Sequence, residues 1–284
     1  MKVLVFGRTG QVARALIAAG PAAEMEITAL ARDRADLADP AACAAIIAGT
    51  DADAVINAAA WTAVDAAEAD EAAVHAINAD APAAMAQACA KKGLPFVHIS
   101  SDYVFDGTDG PAWHPDDPTA PLGAYGRTKL AGEKAVVAAG AVYAILRTAW
   151  VFDAAGKNFV TTMLRLSETR RTLPVVSDQI GGPTPASAIA QACLTIAKTL
   201  VDAPALRGTY HFSGTPDVSW ADFARAIFKA AERDVIVTDI TTAQYPTPAR
   251  RPQNARLDCT STTATFGIAQ PDWHAALTKI CKSA

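Results

Sequence analysis

The chain has 284 residues, 51% of them hydrophobic and 19% charged, and a formal net charge of −4. That length accommodates one large α/β unit or two modest domains, and the composition excludes a disordered chain. The mildly acidic balance excludes a general basic surface for nucleic acid.

Lys2 to Phe6 is apolar and runs directly into glycine. It reads as a buried first strand, too short for the core of a secretory signal. Gly7-x-x-Gly10-x-x-Ala13 then opens a helix over Gln11 to Ala19. Glycine permits a tight turn and the close approach of a pyrophosphate, whose charge meets the helix N-terminus. Between a strand and a helix, that spacing points to a dinucleotide. Glu26 to Ala31 reads as the second strand, whose end is where an adenosine ribose is contacted. A carboxylate there favours NAD, whereas an arginine accommodates a 2′-phosphate. Here Leu30 and Ala31 are followed by Arg32, and Arg8 in the glycine turn offers a second positive charge. NADPH is the expected cofactor, with NADH possible; the alternative is a solvated Arg32-Asp33-Arg34 turn.

Ala41 to Ala48 reads as a helix and Ala54 to Asn57 as a third strand. Val74 to Lys92 reads as a long helix, kinked or restarted at Pro82. Alanine-rich runs such as Ala52 to Ala60 are broken by Asp and Asn, so no membrane span is expected and the protein reads as cytoplasmic. Pro95 to Ser100 is another strand. Asp106 to Gly123, rich in Gly, Pro and Asp and carrying Trp113 and His114, reads as a loop. At the carboxyl end of a strand, such a loop borders a ligand. Ala124 to Ala139 reads as a helix and Ala141 to Arg147 as a strand.

Alternating strands and helices imply βαβ units and a doubly wound parallel sheet of the Rossmann type. From about Arg170 the alternation weakens, and residues 178–184 and 245–248 are irregular. Residues 1–170 are expected to bind the dinucleotide, with part of the later chain returning to them. Residues 171–284 are expected to form a smaller, partly interleaved lobe that mainly binds substrate. Cys43, Cys89, Cys193, Cys259 and Cys281 show no paired spacing and the five histidines are dispersed, which argues against a disulfide scaffold or a metal site.

The chemistry resides in Ser100-Ser101-Asp102-Tyr103-Val104-Phe105 and Tyr125-Gly126-Arg127-Thr128-Lys129. A tyrosine has a free pKa of about 10, and a nearby ammonium lowers it towards the working pH. Tyr125 and Lys129 stand one helical turn apart and can reach one ligand. With the Ser101 hydroxyl, they are the parts needed to place a hydride and a proton on a carbonyl.

These segments resemble the extended short-chain dehydrogenase/reductase superfamily, and within it the dTDP-4-dehydrorhamnose reductase family. Further carriers are Asn57-Ala58-Ala59-Ala60-Trp61-Thr62-Ala63-Val64-Asp65, Arg147-Thr148-Ala149-Trp150-Val151, Asp178-Gln179 through Pro183-Thr184, and Tyr245-Pro246-Thr247-Pro248-Ala249-Arg250-Arg251-Pro252. The resemblance implies a Ser101–Tyr125–Lys129 site acting on the C4 keto group of a dTDP-sugar. Ser101 would bond the carbonyl, Tyr125 would donate the proton, and Lys129 would hold the cofactor ribose. It also implies cofactor contacts from Gly7, Arg8, Thr9, Gly10, Gln11, Val12, Arg32, Asp36, Leu37, Ala58, Ala59 and Ala60. Substrate contacts would come from Val64, Asp102, Tyr103, Trp150 and Arg251, the last through its forked donors. Most family members carry threonine where Ser101 stands, and the hydroxyl is retained.

Two positions depart from the family. Trp61 stands where many members have histidine. Ser187 stands where some place a glutamate for a dimer-bridging magnesium, so no metal is expected, and the chain is a monomer or a homodimer. A dehydratase of the same fold needs an Asp-Glu pair after the hydroxyl, and Tyr103 follows Asp102 here. The remaining alternatives are another sugar-nucleotide reductase or epimerase, and a non-catalytic NADP-binding regulatory subunit. Retention of both Tyr125 and Lys129 argues against the last.

Overall fold

A computed structural model of the protein describes residues 1–282. Its centre is a six-stranded parallel sheet. The first five strands are β1 (Lys2–Phe6), β2 (Glu26–Leu30), β3 (Ala54–Asn57), β4 (Phe96–Ser101) and β5 (Tyr143–Thr148). The sixth is Gly208–His211, which lies beside β5, and the spatial order runs β2-β1-β3-β4-β5 to that strand. The order reverses between β1 and β3, and such a switch point opens a crevice at the carboxyl ends of the strands.

The inner strands are apolar throughout because both faces are covered. Val3, Val5, Ile56, Val97 and Leu146 pack on one side against α1 (Gln11–Ala19) and the Ala186–Asp202 helix. Leu4, Phe6, Val55, Phe96 and Ile145 pack on the other against α2 (Pro40–Gly49) and the Ala81–Lys92 helix. The Ala186–Asp202 helix and the sixth strand both come from beyond residue 170. Alanine-rich helices suit this layer, since small side chains let them approach the sheet closely.

Lys2–Phe6, Gln11–Ala19 and Ala54–Asn57 appear with the expected bounds, and the other expected elements are shifted by one to three residues. β2 ends at Leu30 and β4 includes Ser101. Asp39 caps α2 by accepting from the Ala42 N–H. The helix expected from Val74 starts at Glu71, where the Asp70 carboxylate accepts from Ala73. It stays continuous to Lys92, widening into a π turn over Ala76–Asp80 before Pro82. Proline lacks an N–H and crowds the preceding turn, and the wider turn absorbs that. The short Val64–Ala67 helix is not apparent in the sequence.

A third apolar cluster gathers Phe152, Val160, Leu173, Val175, Phe223, Ile227, Phe228, Trp273 and Leu277. It belongs to the Phe159–Ser167, Trp220–Ala230 and Trp273–Lys282 helices and the Thr172–Val176/Ile236–Ile240 strand pair. The irregular 178–184 segment contributes Ile180–Gly181, which pairs with Val218–Ser219 and Asn254–Ala255. The described cysteines are free thiols, four of them buried. No helix among the described residues is long and apolar enough to cross a membrane.

Candidate active site

A cleft of about 720 Å³ lies at the carboxyl ends of the central strands. At its start, Gly7 has φ of +111°, a left-handed conformation that L-residues avoid. A Cβ there would sit 3.3 Å from the Ala58 backbone, so the glycine lets β1 and β3 close tightly at the switch point. Gly10 caps α1 without any side-chain hydrogen bond, which leaves the first N–H groups of the helix facing the cleft. Arg8, Thr9, Gln11 and Val12 line this end, with Ala58, Ala59 and Ala60 opposite.

Arg32, Asp36 and Leu37 line the far end, beyond β2. The Arg32 Nε donates to Asp36 Oδ2 at 3.2 Å, four residues along the turn after β2, and the arginine is 80% exposed. Its terminal nitrogens are therefore open to solvent or to an anion. The Asp36 carboxyl is held below the usual carboxylate range, first by the Ala38 N–H and then by Arg32.

The opposite end carries the acid–base groups. Ser101, the last residue of β4, donates from Oγ to Asp102 Oδ1 at 2.9 Å and accepts from the Tyr103 N–H at 3.2 Å. Tyr125, on the first turn of the Ala124–Ala138 helix, brings its hydroxyl to Ser101. Gly126 makes that approach possible, because any side chain there would strike the Tyr103 carbonyl. Burial pushes the Tyr125 phenol up to about 12, against the lowering effect of Ser101. Asp102 is buried, its Oδ2 has no partner, and burial raises its carboxyl to about 7.

Lys129 departs from the expected arrangement. It lies on the same helix face as Tyr125, yet its ammonium group is not what sets the phenol's pKa. The Nζ instead donates to the Ile99 carbonyl at 2.7 Å and sits 3.3 Å from His98 Nε2. Burial lowers Lys129 to about 8, with Glu133 opposing that shift. His98 is fully buried and its pKa falls well below the ordinary histidine value, through burial first and then the Lys129 charge.

Val64, Tyr103 and Trp150 also line the cleft. Trp150 holds φ of +48° and stacks on Trp220, with ring centroids 3.5 Å apart and planes within 11°. A bulky residue in that backbone region is strained and persists only where packing enforces it. Trp220 is in turn fixed by donating to Gln179 Oε1. Trp61 lines the cleft too, with its indole N–H bonded to the Ala63 carbonyl.

Arg251 is the one expected site residue outside the main cleft. It borders a neighbouring cavity of about 370 Å³ with Tyr245, Thr247 and Gln253. Its Nη2 donates to Asp65 Oδ2 at 2.8 Å, while Nη1 is buried without a partner. Ser187 is exposed near the start of its helix, and no metal-binding cluster occurs among the described residues.

His98, Asn57, Trp220, Arg14 and Lys157 were not singled out from the sequence as site residues. Lys157 lines the cleft on a segment tied to the glycine turn. There Arg14 bonds Asp153 and the Ala155 carbonyl, and Asn158 donates to Gln11. A lone histidine in an apolar strand and a lysine in a polar loop carry no spacing signal. Only the crossing of the chain brings them to the site.

The RmlD substrate binding domain family model matches residues 1–284. A dTDP-4-dehydrorhamnose reductase of Sinorhizobium fredii is 44% identical over 280 residues, covering 96% of this chain and 94% of that protein. A Clostridium acetobutylicum dTDP-4-dehydrorhamnose reductase structure superposes with a TM-score of 0.92 at 34% identity, covering 100% of this chain and 99% of that one. The Bacillus anthracis dTDP-4-dehydrorhamnose reductase, solved in complex with NADP, gives 0.91 at 31% identity with the same coverage. The chain belongs to the RmlD family of reductases.

Proposed function

We propose that the chain reduces the C4 keto group of dTDP-4-dehydro-6-deoxy-L-mannose to give dTDP-L-rhamnose, with NADPH as reductant and Tyr125 as proton donor. The observation that carries this reading is the meeting of the Ser101 and Tyr125 hydroxyls at the base of a cleft that the glycine turn also lines. The names of the relatives support the substrate, and the NADP complex of the B. anthracis protein supports the cofactor.

The residues fit a dinucleotide. The close Gly7–Ala58 approach and the uncapped start of α1 make a cradle for pyrophosphate, and Arg32 with Arg8 stands ready for a 2′-phosphate. When bound, the cofactor supplies the hydride for the carbonyl carbon. Ser101 and Tyr125 orient the keto oxygen, and Tyr125 transfers its O–H proton to that oxygen as negative charge develops there. To reach that oxygen the Ser101 hydroxyl turns from Asp102 and the Tyr125 hydroxyl from Ser101, a short rotation of side chains already held side by side. The high phenol pKa keeps Tyr125 protonated until the alkoxide forms. Lys129 holds the cofactor ribose, and Val64, Asp102, Tyr103 and Trp150 shape the sugar pocket. Arg251, with one guanidinium nitrogen unpaired beside the cleft, meets substrate phosphate.

The test is NADPH oxidation with dTDP-4-keto-6-deoxyhexose made in place by the enzymes that form it. Stoichiometric conversion to the 4-hydroxy sugar supports the assignment. NADPH binding without oxidation by any 4-keto sugar nucleotide would identify a regulatory subunit instead.

A further inference from the structure

One chain of hydrogen bonds runs behind the cleft and ends on Lys129. The backbone N–H of Ala59 donates to Asn57 Oδ1 at 3.1 Å. A backbone donor cannot be reversed, so the Asn57 amide is fixed with its NH2 towards His98, where Nδ2 lies 3.2 Å from Nδ1. His98 Nδ1 must then be an acceptor, and the proton of the neutral ring sits on Nε2. That N–H points at Lys129 Nζ, 3.3 Å away. Nζ already donates to Ile99. It can satisfy the Nε2–H only with a lone pair, which an amine has and an ammonium lacks.

We propose that His98, locked by Asn57 in the Nε2–H tautomer, is a positioning residue that favours the uncharged form of Lys129 at rest. The chain reads the protonation state of Lys129: the amine accepts from the His98 Nε2–H, whereas the ammonium keeps Ile99 as acceptor and meets an opposing donor at His98. Asn57, His98 and Lys129 are 1%, 0% and 1% exposed, so water does not substitute for any link. The other groups near Lys129 are Tyr125 and Glu133 on its own helix. Glu133 is paired with Arg147 of β5, and Asp102 lies beyond Ser101 at the end of β4. Glu133 favours the ammonium. His98 is the group that opposes it by hydrogen-bond direction. A lysine that changes charge near neutral pH can accept and return a proton at the tyrosine in every cycle, which one held far above neutrality cannot.

This inference rests on Lys129 acting in the reaction, but its first test does not. Ring-nitrogen NMR of the ligand-free protein should show His98 neutral with the proton on Nε2 between pH 6 and 9; a proton on Nδ1 overturns the proposal without any variant. Asn57→Asp should move the His98 proton to Nδ1, turning Nε2 into an acceptor for the ammonium. The Lys129 midpoint, followed by labelled-lysine NMR and assigned by its loss in Lys129→Met, should then rise by about one unit or more, a tenfold change in the equilibrium. In a His98→Phe background the same Asn57→Asp change should leave the midpoint nearly unmoved, because the link is gone. A shift that survives loss of His98 is direct charge action and overturns the proposal. The basic limb of the kcat–pH profile should follow the lysine midpoint across the variants. An inert protein with every tested keto sugar, in which the tautomer and midpoints still behave as stated, would refute the catalytic assignment alone.

Discussion

Arg147 of β5 and Glu133 of the Ala124–Ala138 helix form a fully buried fork. Arg147 Nη2 lies 2.7 Å and Nε 3.0 Å from the carboxylate, and both side chains are about 5% exposed. Ser100 donates to the same carboxylate, and Arg147 also donates to the Pro115 carbonyl in the 106–123 loop. One ion pair therefore ties the tyrosine helix to β4 and β5 and anchors the 106–123 loop, whose ends line the neighbouring cavity with Arg251 rather than the main cleft. Removing one partner strands a buried charge, which costs roughly 3–5 kcal/mol. Glu133→Gln should lower the urea midpoint accordingly. Glu133→Leu combined with Arg147→Met should recover much of that loss, since a paired replacement leaves no orphan charge. Equal losses in the single and double variants would show that the pair acts through packing alone.

Tyr125→Phe removes only the hydroxyl that meets Ser101. The fold and NADPH binding should be retained while kcat falls by about 10²–10⁴, the usual contribution of a general acid. Stopped-flow turnover with fluorescence titration of the cofactor checks both halves, and a near wild-type kcat would sink the assignment.

The Arg32–Asp36 pair makes the cofactor preference testable from two sides. Charge-assisted hydrogen bonds from Arg32 to a 2′-phosphate are worth about 1.5–3 kcal/mol, so Arg32→Ala should cost NADPH roughly ten- to a hundredfold and spare NADH. Asp36→Ala frees the guanidinium and should sharpen the preference for NADPH. Added salt should narrow it, because the arginine is largely exposed. Equal kcat/KM for both cofactors in the wild type would make Arg32 a solvated turn residue.

Asp102 gives stability a pH dependence of definite sign. Its carboxyl is near the ordinary value in the unfolded chain and near 7 when folded. Between those values the folded state holds the extra proton, so the contribution is fully present below the unfolded value of 3.8 and is lost progressively as pH rises from there through about 7. Asp102→Asn removes the charge and keeps an acceptor for Ser101. The variant should gain roughly 4 kcal/mol at pH 8.5 relative to wild type and only roughly 1.5 kcal/mol at pH 5, at about 1.36 kcal/mol per unit. Thermal melts at the two pH values decide the matter, and a uniform shift would exclude linkage.

Much of this arrangement is readable from local pattern. Gly7-x-x-Gly10 between a strand and a helix announces the turn, because only backbone geometry is involved. Tyr125 and Lys129 share a face through helical periodicity alone. The partners of those residues are not local. His98 meets Lys129 across 31 positions and Arg251 meets Asp65 across 186, and neither separation leaves a spacing to recognise. The family resemblance places Trp150 at the pocket, but its strained backbone depends on the stack with Trp220 and the close approach of Gly181. Helical spacing alone implies that Lys129 lowers the Tyr125 pKa. Burial and the Ile99 carbonyl override it in the ligand-free fold.

The sixth strand has a bearing on how the chain is made. β5 is complete at Thr148, yet its outer neighbour ends at His211, 63 residues later. At translation rates of about 5–20 residues per second, the nascent sheet waits roughly 3–13 s with a hydrogen-bonding edge open. The strand that closes it also brings His211 against Arg147, so the buried fork under the tyrosine helix is completed at the same moment. During synthesis, an unpaired Tyr143–Thr148 edge is where the emerging polypeptide is most exposed to mispairing and where a holding chaperone would have the most to protect.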